Sequence, residues 1–170
     1  MRFLLYCFGT LQRHSVSNYP NPSFAVITEM ADTLTPERRS WNMARIHSKD
    51  TSIEVAVRHW LFHHGYRYRK NVKTLPGKPD IVLRTYNVVI FVQGCFWHRH
   101  PGCKDATMPK TRTEFWQEKF NRNVANDIKH QKELKDMGFH VIILWECDIT
   151  KHFEETMLKV AEILGPAHNR

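Results

Sequence analysis

VVIFVQGCFWHRHPGC, residues 88–103, is the stretch on which the reading of this chain turns. Val88 to Val92 is apolar at every position, so the strand it forms is covered on both faces and belongs in the middle of a sheet. The strand runs into Gly94, and the next residues bring Cys95, Cys103, His98, His100 and the adjacent pair Phe96-Trp97. Thiolates and imidazoles at this spacing are metal ligands of the softer kind. Two large rings beside a polar cluster offer flat faces to grip a flat partner.

Upstream, Ile81 to Leu83 pairs with Val88 to Val92 across RTYN as a hairpin. Asp80 stands at the mouth of its first strand, after Pro79; Pro-Asp is also ordinary turn chemistry, and this aspartate alone decides nothing. Tyr66 to Arg69 reads as a short strand. Asp50 to His64 reads as a helix, with Ile53, Val57, Trp60 and Leu61 on one face and Gly65 as its stop. Thr51 and Glu54 form a capping box, which gives Glu54 a structural task beside any catalytic one. Thr35 to His47 favours a short basic helix with Met43 and Ile46 on one side, either packed on the core or held out as wedges.

Downstream, Lys104 to Arg112 is a basic loop, and Thr111 and Glu114 suggest a second capping box. The helix it opens runs to about Met137, with Trp116, Phe120, Val124 and Ile128 every fourth residue and Gly138 as its end. Val141 to Trp145 reads as another central strand, and a last amphipathic helix from about His152 to Leu164 stops at Gly165-Pro166. This order predicts an α/β domain over residues 30–165, a mixed sheet flanked by helices, with residues 166–170 as a tail. Residues 1–29 carry a short apolar run that superficially resembles a secretory signal. Phe3 to Phe8 falls short of the required core and no clean cleavage site follows, so a disordered or mis-started leader is expected.

The chain has 170 residues, 42% of them hydrophobic, enough for one packed core. Its net charge is +8, all but one unit of it from Met30 onward, and it has five Trp and ten Phe. Such a composition fits a nucleic-acid partner bound by phosphate neutralisation and inserted or stacked rings; a basic protein whose rings are simply core would look the same. No run of about 18 apolar residues exists, so no membrane-spanning helix is expected. Four cysteines, Cys7, Cys95, Cys103 and Cys147, are too sparse for a disulfide scaffold and imply a reducing, cytoplasmic setting.

Cys95, His100 and Cys103, joined by Cys147 at the end of a neighbouring strand, make a Cys3His set that suits a closed structural zinc site; His98 could stand in for His100. That leaves Asp80 and one histidine, the oxygen ligand and proton handler that a Mg²⁺-dependent phosphodiesterase needs.

The pieces LPGKPDIV, FVQGCFWHRHPGC, TRTEFWQEKFNRNV and VIILWEC, in this order, closely resemble the very short patch repair endonucleases, over about Met30 to Leu164. The resemblance implies the PD-(D/E)xK restriction-endonuclease-like fold. It implies nicking of double-stranded DNA 5′ to the thymine of T:G mismatches left by deamination of 5-methylcytosine, by a monomer that meets other mismatch-repair proteins. It casts Asp80 and the Val92 main-chain carbonyl as Mg²⁺ contacts, His98 as the catalytic histidine and Glu54 as an acid near the metal waters. Cys95, His100, Cys103 and Cys147 become the Zn²⁺ ligands. Phe96, Trp97 and Trp116 become rings that enter the duplex, and Met43 a minor-groove wedge. Gln93 departs from the His or Asp of related sequences, and Pro101-Gly102 makes the zinc loop one residue longer than in some of them. Two rivals remain: a zinc-containing DNA-binding module without catalysis, and a nuclease of different DNA specificity.

Overall fold

The computed structural model describes residues 35, 37, 38, 41 and 50–168. Contacts divide the chain into residues 1–33 and 34–170, and every described residue lies in the second unit. Four strands, β1 (Arg69–Lys70), β2 (Ile81–Leu83), β3 (Val88–Gln93) and β4 (His140–Trp145), form one sheet in the order β1-β2-β3-β4. The first two pairings are antiparallel and β3 pairs with β4 in parallel, so the sheet is mixed, as expected.

Period-two alternation sets the two faces. Ile81, Leu83, Val88, Ile90, Ile142 and Leu144 point into the larger core with Val57, Leu61, Met157 and Val160. These last come from α1 (Ser52–His63) and α4 (Phe153–Leu164). Val82, Val89 and Phe91 point the other way, against Leu75 and against Leu134 of α2 (Thr113–Asp136). With helices on both sides, β3 is buried on both, which is why its sequence does not alternate. The same apolarity made Val141–Trp145 look central. In the structure β4 lies at the sheet edge among the described residues, because helices cover its faces while its outer backbone edge stays unpaired.

Three further expectations are corrected. The β1 pairing takes Arg69–Lys70, while Tyr66 turns inward and its hydroxyl donates to the Gly165 carbonyl at 2.8 Å. The Thr111–Glu114 capping box does not form: α2 starts at Thr113 after a left-handed Arg112 that makes no side-chain cap, which leaves Thr111 one residue too early. A short helix, α3 (Glu146–Lys151), follows β4 directly, so Cys147 sits in a helical first turn rather than at a strand end. The Thr51 cap of α1 is as expected, its side chain accepting from the Glu54 N–H. Thr35 likewise accepts from the Arg38 N–H at 3.2 Å; Met43 and Ile46 lie outside the described residues.

Candidate active site and metal centre

The mouth of β2, the end of β3, the first turn of α1 and the middle of α2 surround a cleft of about 310 Å³. Asp80 enters it from the start of β2, and its Oδ2 accepts the Val92 N–H at 2.8 Å. Burial pushes the Asp80 carboxyl up to about 6; the Val92 N–H works against this, Glu54 adds to it, and Arg58 and His98 oppose it. Glu54 is itself buried, and its carboxylate accepts from the Thr51 hydroxyl at 2.9 Å and the Asp50 N–H at 3.0 Å. Buried Arg58 pairs with both Glu54 and Asp50. Glu54 therefore does its capping task and lines the cleft at once, so the two readings of that residue are compatible. Gln93, 4% exposed, also lines it.

His98 lies in the loop after β3, and its Nδ1 is 2.6 Å from Oδ2 of Asp127, near the middle of α2. One helical turn earlier, Asn123 donates to the Trp97 carbonyl at 3.1 Å, so α2 grips the loop at two consecutive turns. Sequence reasoning missed Asp127, Asn123 and Arg58. The two α2 residues sit among the Lys, Asn and Asp of a polar helix face, and no local spacing separates a gripping residue from a solvated one.

Behind the cleft, Cys95, His100, Cys103 and Cys147 bring one donor atom each to within 4.8 Å of the others. The His100 Nδ1 lies 3.7 Å from the Cys95 sulfur and 3.3 Å from the Cys147 sulfur. Ligands at zinc bond lengths on a tetrahedron are separated by about 3.6–3.8 Å, so this donor set fits that ion. His98 is not in the set, which separates the two histidines. Burial and the neighbouring Cys95 and Cys103 push the Cys147 thiol up to about 12. Crowded thiols of this kind resist ionisation until a cation is among them. The His100 ring lies flat on Trp145, centroids 4.2 Å apart, and the Cys95 N–H donates to Glu146 at 3.2 Å. A loop fixed this way is a site that could hold a metal.

Phe96, Trp97 and Trp116 pack edge-on or tilted at 5.0–6.0 Å over buried Phe120. The Lys119 ammonium lies 5.0 Å from the Trp97 ring centre and 5.4 Å from that of Trp116. The three rings expected to meet DNA thus form one half-buried cluster, Phe96 and Trp97 on the loop that also carries His98 and Trp116 on α2.

Residues 31–105 match the family described as DNA mismatch endonuclease Vsr. A Type II nicking enzyme, V.NmeAIP, of Neisseria meningitidis serogroup A is 50% identical over 120 residues, which cover 71% of this chain and 85% of that one. A second, V.XorIIP of Xanthomonas oryzae pv. oryzae, is 43% identical over 121 residues, 71% of this chain and 88% of its own. The DNA mismatch endonuclease Vsr of Escherichia coli is 43% identical over 118 residues, 69% of this chain and 75% of its own.

Proposed function

The chain belongs to the family of the DNA mismatch endonuclease Vsr, and on that premise we propose that it is a Mg²⁺-dependent endonuclease acting on double-stranded DNA. It nicks one strand 5′ to the thymine of a T:G mismatch, leaving a 5′-phosphate and a 3′-hydroxyl. The observation that carries this reading is the meeting of Asp80, Glu54 and the His98–Asp127 pair in one cleft, with His98 on the loop that also bears Phe96 and Trp97.

The cleft fits a hard cation by its donors: the carboxylates of Asp80 and Glu54, close enough that the Glu54 charge helps raise the Asp80 carboxyl, with no thiol among them. Asp80 and the Val92 carbonyl would hold Mg²⁺, which when bound supplies positive charge where the phosphoryl oxygens and the attacking water gather negative charge. The residues of the chain do the rest. With its Nδ1–H donated to Asp127, His98 keeps the Nε2 lone pair free to take a proton from water, and Asp127 stabilises the imidazolium that results. Glu54, held by Arg58 and the α1 cap, is fixed to accept from water in the cleft. Cys95, His100, Cys103 and Cys147 would hold Zn²⁺ as a closed structural site. Phe96, Trp97 and Trp116 enter the stack beside the mismatch, where unstacking costs only a few kcal/mol per step.

The test is incubation of end-labelled T:G and matched duplexes with Mg²⁺ or EDTA, beside Asp80→Ala. Nicking of the T:G duplex alone, lost in EDTA and in the variant, is expected. No nicking under any condition would leave a DNA-binding module, and equal nicking of matched DNA would sink mismatch specificity.

A further inference from the structure

The cleft has a second wall to which the proposed chemistry gives no task. Residues 71–78 join β1 to β2 through a contorted path, with Asn71, Gly77 and Lys78 at φ of 49°, 68° and 52°. Three anchors fix it. Leu75 is buried with Phe91 and Leu134, and the Asn71 N–H donates to the Asp80 carbonyl at 3.2 Å. At Gly77 a Cβ would come within 2.9 Å of the His130 Cβ, so only glycine lets the loop lie this close to α2. The loop thereby holds exposed Lys73 and Lys78 in the lining of the cleft that Asp80 and Glu54 also line, together with His130. Among the described residues neither lysine has an ion-pair partner.

Glu54, Asp80 and Asp127 make the floor of the cleft acidic, which repels the polyanion it must receive. A cation on Asp80 offsets this at one phosphate only, and the neighbouring phosphate on the same strand needs positive charge of its own. Resting on the reading of this cleft as a DNA-nicking site, we infer that Lys73, Lys78 and His130 seat the DNA phosphate next to the one cleaved, and so set which linkage lies over Asp80. Both lysines are exposed, so their truncation leaves the fold intact.

The test is equilibrium binding of a fluorescent T:G duplex without added Mg²⁺, over a range of salt, by wild type, Lys73→Ala/Lys78→Ala and, as a remote control, Lys159→Ala. The double variant should bind about tenfold more weakly near 0.1 M salt, with the slope of log K against log salt reduced by about 2, while the control stays at wild type. Duplexes with a neutral methylphosphonate on either side of the nick site then locate the contact. One of the two should weaken wild type and leave the double variant unaffected. Unchanged affinity in the double variant, or equal losses in wild type and variant on both modified duplexes, would overturn the seat. Nicking by wild type in Mg²⁺ is scored separately. Binding with this pattern but without nicking overturns the endonuclease reading and leaves the phosphate seat standing.

Discussion

Asp80 carries its charge at a cost to the fold. A carboxyl raised from 3.8 to about 6 binds its proton more tightly folded than unfolded. The stability linked to it is therefore complete below about pH 4 and is lost as pH rises through 6, about 3 kcal/mol by neutral pH. Asp80→Asn should raise the Tm of Mg²⁺-free protein at pH 8, with the gain shrinking to nothing near pH 4, while abolishing nicking. Added Mg²⁺ should raise the Tm of wild type and not of the variant. A variant no more stable than wild type at pH 8 would mean that the cleft is wetter than its geometry implies. Asp127→Asn keeps the size of the partner but removes the charge that holds Nδ1–H, so kcat should fall about 10²- to 10⁴-fold with KM changed little. A variant with wild-type kcat would rule out a proton role for the pair.

At the scale of elements, what could be read in the chain was set by how local the signal is. The apolar run of β3 and the four-residue rhythm of α2 are driven by burial, and both stand where the pattern put them. The α1 cap is local chemistry and also holds. The same motif at Thr111 fails because a capping box needs the helix to begin at that threonine, and the left-handed Arg112 fixes the start elsewhere. The central placing of β4 failed because hydrophobicity reports covered faces, whereas strand order depends on which backbone edge is paired. In the site, the cysteine and histidine donors were marked by residue type and spacing, whereas the roles expected of Asp80 and His98 came from the family resemblance. Asp127 acts only through a contact between distant elements and left no mark, while Arg58 pairs locally with Glu54 and Asp50 and is told from a solvated helix arginine only by its burial. Phe120 joins the two levels: it is 1% exposed, belongs to the α2 stripe, and its ring lies 5.1 Å from Phe96 and 5.5 Å from Trp116. Phe120→Ala should cost about 3–5 kcal/mol in denaturant unfolding. It should also weaken T:G duplex binding at a temperature where the variant is still folded, since the rings above it lose their platform. Stability lost with binding unchanged would separate the cluster from recognition.

For the molecule as a whole, the parallel pairing of β3 with β4 decides where the metal centre can be. Parallel strands end at the same edge of the sheet, so the loop after β3 and the helix after β4 meet there, and Cys147 reaches Cys95, His100 and Cys103 across 44 residues of chain from the last of them. A zinc ion at that point would tie together two elements that no described disulfide joins, and would also fix the loop that carries His98 and the rings. Purified protein should hold about one zinc per chain, and Cys147→Ser should lower both metal content and Tm. The two metals are then separable by their chemistry. Activity lost to brief EDTA should return with excess Mg²⁺, because Asp80 and His98 are still in place. Activity lost to a zinc-selective chelator should fall together with the Tm and return with Zn²⁺ but not with Mg²⁺. A zinc-free chain with unchanged Tm and full nicking would show that hydrogen bonds to Glu146, Asn123 and Asp127 hold the loop without the ion.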